Sequence, residues 1–478
     1  MDTTTLLTTI ATSIDFDRSS VLWALIVGVI LAFLLGAGMG ANDVSNAFGT
    51  SVGSKVVTVI QAYILATIFE TLGAVLVGWS VTDTMRKGII DTSLYSNDAM
   101  ELLVGQVAIL GGCAAWLMLA TAFHMPVSTT HSLMGATLGF SLTRKGFQGV
   151  QWKMLGKVVA SWFVSPLLSG TISAVLYCLV DHLVLRREHP LESGLHLLPI
   201  FYFACITFIT FAVTYDGSKL LYLDRLAVWQ SILIALGFGI VTALIIQFIV
   251  KPRLRARIAN SSSNHNIKQM ETVESETEKK IDVESQTTKR SSGIKSFFNW
   301  LLPDRTRESC PETVRLFGTI QLFTACCAGF AHGANDVSNA IAPLAALISI
   351  YKSKNVQQNE EVPIYVILYG VLAICAGLWL LGHRVIKTVG TKMSEINPAS
   401  GFTIEFGAAM TALLASKAGL PISTTHCLVG SVVIVGIVKS RDGVKWGIFR
   451  NIIISWVVTL PVSGLISAGI MYLIGFSL

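Results

Sequence analysis

Long apolar runs, each closed by a short polar break, recur along this chain. They lie at about Val21–Gly36, Val56–Trp79, Leu102–Phe123, Leu155–Val180, Leu197–Val213, Val228–Val250, Leu316–Phe330, Ile364–Leu381 and Trp446–Ile474. Most reach the roughly 20 residues that carry a helix across about 30 Å of hydrocarbon. The pattern predicts an all-α polytopic membrane protein. Two shorter apolar pieces, Ser132–Leu142 and Cys427–Val438, follow turns rich in serine and threonine. They read as half-spans, tilted spans or re-entrant arms, giving about twelve membrane elements in all.

The polar breaks divide the chain. Residues 1–20 form a polar, acidic segment without the basic start and apolar core of a signal peptide, so the first span is expected to serve as its own insertion signal. A first membrane half covers 21–250 and a second covers 316–478. Between them, 251–315 holds KPRLRAR, NSSSNHN, ETVESETEKK and SQTTKRSS, a tract too polar to fold alone and read as a disordered linker. Its Lys and Arg residues beside Val250 place it in the cytoplasm. Counting back seven crossings puts the amino terminus outside. Arg186, Arg187, His383–Lys392 and Lys439–Lys445 then fall inside, whereas Arg86, Lys87, Arg144 and Lys145 fall outside. The sequon at Asn260 lies in the cytoplasmic tract and is expected to carry no glycan.

The halves repeat one another at an offset of about 294. GANDVSNA occurs at Gly40–Ala47 and at Gly333–Ala340; PVSTTHS at Pro126 is answered by PISTTHC at Pro421, and SWFVSPLLSG at Ser161 by SWVVTLPVSG at Ser455. An odd number of crossings between equivalent blocks predicts two inverted-topology repeats with discontinuous or re-entrant helices, the plan of secondary transporters whose sites lie near midplane.

Composition agrees: 52% of residues are hydrophobic, 13% charged, and the mean hydropathy is +0.64. The net charge of +6 sits mainly in the loops and reports orientation, so nucleic acid is excluded as a partner. The eight cysteines lack metal-ligand spacing and read as small buried hydrophobes. No phosphate-binding loop, nucleophile elbow or HExxH motif is present, and no enzyme activity is expected.

Against this apolar background four carboxylates stand out: Asp43, Asp336, Glu70 and Glu405. Each costs about 2.5–3.5 kcal/mol to place at membrane depth. Asn42, Asp43 and Asn46 fall on one helical face, and their hard oxygens suit a small hard cation; interfacial capping turns are the alternative. Ser128, Thr129 and Thr130, and their copies Ser423, Thr424 and Thr425, pair hydroxyls with the free N–H groups of a helix start, an anion cradle. The alternative is that these hydroxyls bond only to their own helix. Few basic side chains are near, Lys417 and Lys55 among them, with His131, His332 and His426 adjoining the motifs. The histidines read either as partners of the anion or as neutral groups packing the hairpins. An anion beside carboxylates requires a cation to be bound as well, so the two would be coupled.

These paired motifs resemble those of the PiT-type inorganic phosphate transporters, sodium–phosphate symporters that carry a GANDVxNA signature in each repeat. The resemblance covers both halves, with GANDVSNA, PVSTTHS, FAHGANDVSNA and GFTIEFGAA through PISTTHC in family order. It implies a multi-pass plasma-membrane transporter with external termini, importing monovalent phosphate with sodium as coupling ion and no other cofactor. Phosphate would be held by Ser128, Thr129, Thr130, Ser423, Thr424, Thr425, Asn42 and Asn335. Sodium would be held by Asp43, Asn46, Asp336 and Asn339, with Glu70 and Glu405 in coupling and His332 and Gln106 in support. A homodimer stays open. So do proton coupling, sulfate as the anion, and a phosphate-sensing or receptor role. Two departures stand out: the linker is short for an animal-type member, and Gln106 lies near where the second repeat has Glu405, while Glu70 has no evident copy.

Overall fold

A computed structural model describes residues 16–87, 90–218, 221–260, 300–303, 310–358, 360–387, 396–418, 420, 422–440 and 444–476. Local chemistry sets where its helices begin. Thr58 and Gln61 cap one another before α3, Asp98 accepts the Glu101 N–H before α4, and Asn397 and Ser400 cap one another before α12. In chain order the helices are α1 (Leu22–Asn42), α2 (Val44–Gly53), α3 (Val59–Lys87), α4 (Ala99–Ala122), α5 (Thr129–Lys145), α6 (Trp152–Val180), α7 (Pro190–Thr214) and α8 (Val228–Ile245). The second half contributes α9 (Pro311–Ser353), α10 (Ile364–Leu381), α11 (His383–Lys387), α12 (Pro398–Lys417), α13 (Thr424–Lys439) and α14 (Trp446–Gly475). Among the described residues the only β contact is an isolated bridge between Ile90 and Val150. Nine of the described helical segments are long and apolar enough to cross a membrane.

Three sequence expectations need correction. The second signature does not end a span, because α9 runs unbroken through Gly333–Ala340, whereas the first copy breaks between Asn42 and Val44. The linker begins later than Lys251: helix continues from α8 to Asn260, since Leu254 and Ile258 seat on Leu195, Leu198 and Val180 and Arg255 pairs with Glu192. It also ends earlier, at Pro311. The rest of the expected linker, 261–299 and 304–309, lies outside the described residues.

The short pieces are arms of hairpins. At one end of the α4–α5 hairpin Glu101 pairs with Arg144 and Lys145, the latter at 2.7 Å, and further along Ser132 meets Cys113 at 3.5 Å. The two helices therefore run antiparallel. Packing partners are exchanged between halves: α5 lies on α14, and its copy α13 lies on α6. Likewise α1 crosses α10 while α9 crosses α3.

Both crossings are glycine contacts. A Cβ on Gly40 would sit 1.8 Å from the Ile374 carbonyl oxygen, and one on Gly377 1.8 Å from that of Ala37. In the other crossing, Gly333 and Gly73 approach the carbonyls of Glu70 and Phe330 in the same way, at 2.1 and 2.0 Å. The buried face of α9, from Thr313 to Ile350, forms the centre of the molecule. Large apolar side chains on α6, α8 and α14, such as Phe163, Phe238 and Leu465, point outward, as a lipid-facing surface requires.

Candidate functional site

Ser128 and Ser423 open α5 and α13, each accepting a 3.3 Å hydrogen bond from the N–H three residues on, at His131 and His426. Their hydroxyls are helix caps, which is the local alternative the sequence left open. The threonines that follow point elsewhere. Thr129 donates to Asp336 Oδ1 at 3.0 Å, Thr424 donates to Asp336 Oδ2 at 2.9 Å, and Thr425 donates to Asp43 Oδ1 at 3.0 Å. Hydroxyls of each hairpin thus reach the signature aspartate of the opposite half.

Asparagines hold the hairpin turns in place. Asn42 donates to the Met125 carbonyl at 2.8 Å and accepts from the Val127 N–H at 3.1 Å, while Asn335 donates to the Ile422 carbonyl at 3.1 Å. Asn339 donates to Thr130 Oγ1 at 3.1 Å and to Asp336 Oδ1 at 3.2 Å, and Thr130 donates on to the Ile422 carbonyl. The side chain of Asn46 lies outside the described residues.

Asp43, His332 and Asp336 each offer a ligand atom within 4.8 Å of the others, and all three are buried. His332 bridges two acids, with Nε2 3.0 Å from Asp336 Oδ2 and Nδ1 3.2 Å from Glu70 Oε1. Three carboxylates and one imidazole taken out of water together carry a large desolvation cost unless positive charge joins them. No lysine or arginine of the described residues supplies it: Lys417 donates instead to the carbonyls of Tyr215 and Asp216, both at 2.8 Å. The donor set, carboxylate and hydroxyl oxygens with one imidazole, fits a hard cation better than a transition metal. Between the aspartates, threonine hydroxyls and the first turns of α5 and α13 suit an anion.

Two residues expected here are elsewhere. Glu405 occupies a separate buried cage, accepting from Thr50 at 2.5 Å, Ser51 at 2.6 Å, Thr324 at 2.8 Å and Gln321 Nε2 at 3.2 Å. Thr324 and Asp336 are about 18 Å apart along α9 at 1.5 Å per residue. Among the described residues Gln106 donates to the Leu102 carbonyl of its own helix, at 3.3 Å, and joins neither cluster. The cage residues escaped the sequence reading; their signal was a scatter of hydroxyl and amide side chains inside apolar runs.

The glycine crossings identify true counterparts. Gly40 meets Ile374 where Gly333 meets Glu70, so Glu70 corresponds to Ile374, and His332 to Met39. Gly407 meets Ser173 where Gly112 meets Ser467, which makes Leu110 the counterpart of Glu405 in place of Gln106. Both accessory glutamates therefore have apolar partners across the repeat, and both touch α9.

Comparison with known proteins places this geometry. A family profile described as the phosphate transporter family matches residues 39–467. The chain is 35% identical to sodium-dependent phosphate transporter 1-A of Danio rerio, over 99% of both chains. It is 34% identical to sodium-dependent phosphate transporter 2 of Xenopus tropicalis, over 96% of this chain and 98% of the relative. A solved structure titled "The sodium-dependent phosphate transporter" superposes with a TM-score of 0.78 at 32% identity, covering 95% of this chain and all of that one.

Proposed function

This chain belongs to the phosphate transporter family, and from that premise we propose that it imports monovalent phosphate across the plasma membrane together with sodium. The observation that carries the reading is the shared cluster: aspartates from both signatures meet threonines from both hairpins, with no described lysine or arginine among them. Sodium ions between Asp43 and Asp336 neutralise the carboxylates, and the anion then accepts from Thr129, Thr424, Thr425 and the first-turn N–H groups beside them. Each ion favours the other, because the anion alone meets carboxylates and the cations bring the positive charge that draws it. That mutual dependence is symport.

Each hairpin enters and leaves on one side, so five traverses separate the amino terminus from the helix ending at Asn260. The number stays odd, which keeps the amino terminus outside, the basic residues of 251–257 inside and the two repeats antiparallel. Alternating access then moves the hairpin turns relative to α1 and α9.

The test is uptake of labelled phosphate into proteoliposomes under a sodium gradient and, separately, a proton gradient. Uptake is expected with sodium alone. Uptake driven by pH in the absence of sodium overturns the reading.

A further inference from the structure

Past Val250 the helix that begins as α8 leaves its apolar run and continues to Asn260 through KPRLRARIAN. Val228–Val250 carries no charged residue and is about 34 Å long at 1.5 Å per residue, enough to cross the hydrocarbon. Lys251 therefore stands at the hydrocarbon edge, and the arginines after it stand in the headgroup layer. Packing holds the extension in place: Leu254 and Ile258 join the cluster of Val180, Val184 and Leu195, and Arg255 pairs with Glu192 at 2.7 Å. Helices α7 and α8 run antiparallel, with Gly239 against Phe203 and Thr207. That register, with the Arg255–Glu192 pair, brings Arg257 level with the turn between α6 and α7.

Arg253 and Arg257 lie four residues apart, on the flank of the extension opposite Arg255, and both are exposed. Arg187 in the α6–α7 turn is exposed as well. Among the described residues none of these three has a carboxylate partner. Their neighbour Arg186 is engaged, pairing with Asp181 and donating to the carbonyls of Trp300 and Leu302. Trp300 is 60% exposed at this same end, as an aromatic side chain at headgroup level is.

Orientation of a span asks only for positive charge nearby, which loose lysines supply. Three guanidiniums set on packed backbone offer more, because each planar fork can grip a phosphate through two N–H groups and little freedom is lost on binding. We propose that the α8 extension and the α6–α7 turn bind the headgroup of a phosphoinositide of the adjoining leaflet, with Arg187, Arg253 and Arg257 on its phosphates and Lys251 at its glycerol end. A serine headgroup presents one net charge to this patch, whereas an inositol bisphosphate presents phosphates to several arginines at once. Which leaflet supplies the lipid follows from the orientation proposed above, the cytoplasmic one; binding itself does not depend on that orientation.

The full chain is placed in phosphatidylcholine nanodiscs that also hold phosphatidylinositol bisphosphate or, at matched charge, phosphatidylserine, and lipids retained on transfer to detergent are counted by native mass spectrometry. The bisphosphate lipid is expected to be retained at least about tenfold over phosphatidylserine. Arg253→Gln and Arg257→Gln should each cut its retention about fivefold, and the pair about 25-fold. Lys445→Gln with Arg450→Gln, two exposed basic positions at the start of α14, should leave it unchanged. Sodium-driven phosphate uptake by the Arg253–Arg257 double variant in phosphatidylcholine alone is expected to equal that of the parent chain, which shows the variant folded. Retention is measured without any gradient, so a failure of the transport reading stays separate from a failure here. Equal retention of phosphatidylserine, an equal loss in the α14 pair, or a soluble inositol phosphate binding as tightly as the lipid overturns the proposal.

Discussion

Asp43 and Asp336 are copies in sequence and unequal in surroundings. Asp336 receives Thr129, Thr424 and Asn339 and leans on His332, which reaches on to Glu70; the positions equivalent to His332 and Glu70 beside Asp43 are Met39 and Ile374. One donor to a charged group contributes about 1.5–3 kcal/mol. Thr424→Val is therefore expected to shift the sodium dependence of uptake about 10- to 100-fold, read from initial rates across a sodium titration; an unshifted curve refutes the assignment. Glu405 belongs to a different experiment because its cage stands apart from the aspartates. Glu405→Gln keeps the volume and removes the charge, so turnover is expected to fall at least about tenfold while phosphate binding changes by less than about threefold. Equal losses in both would place Glu405 in the central site after all.

Helices meet here through small residues, since lipid supplies no hydrophobic drive between apolar helices and close approach supplies dispersion. The two glycine crossings bring signature backbones against α3 and α10, which fixes the depth of every residue in the site. Gly377→Ala forces a methyl into the Ala37 carbonyl and is expected to cost on the order of 1–3 kcal/mol. Gly156→Ala on α6 meets open space and gains about 1 kcal/mol of helix propensity. Thermal unfolding of the purified variants should lower Tm for the first and hold or raise it for the second; equal shifts would contradict the crossing. Apolar runs announced most helices, because burial in lipid demands a continuous apolar stretch. They did not announce that α9 continues past its signature, for a helix carries polar residues freely when its neighbours hydrogen-bond them, as Thr129, Thr424 and Gly78 do here.

Across the whole molecule, contacts between chain ends agree on sidedness. Arg18 donates to the carbonyls of Tyr351 and Lys352, and Arg86 to that of Glu360, so the start of α1 and the ends of α3 and α9 share a face. The proposed orientation makes that face external. In a chain whose exposed Cys310 is replaced by serine, an impermeant maleimide applied to intact cells should label Phe147→Cys and leave Arg257→Cys unlabelled until the membrane is opened. The reverse pattern inverts the topology.

Sequence by itself determined the membrane class, the duplication, and the residue types that gather at the site, because these are written in local periodicity and in blocks that repeat. It also named the threonines and aspartates that meet. Tertiary structure decided which meets which: Thr425 and Asp43 are 382 residues apart, and Thr50 and Glu405 are 355. Such pairs depend on where helices cross and how hairpins fold back, quantities that no window of the chain contains. For the same reason Glu405 moved to its own cage, Gln106 dropped out, and Glu70 acquired a histidine that its counterpart lacks. Two copies of one motif became unequal through their neighbours, since burial makes the charge of a carboxylate a property of everything packed around it.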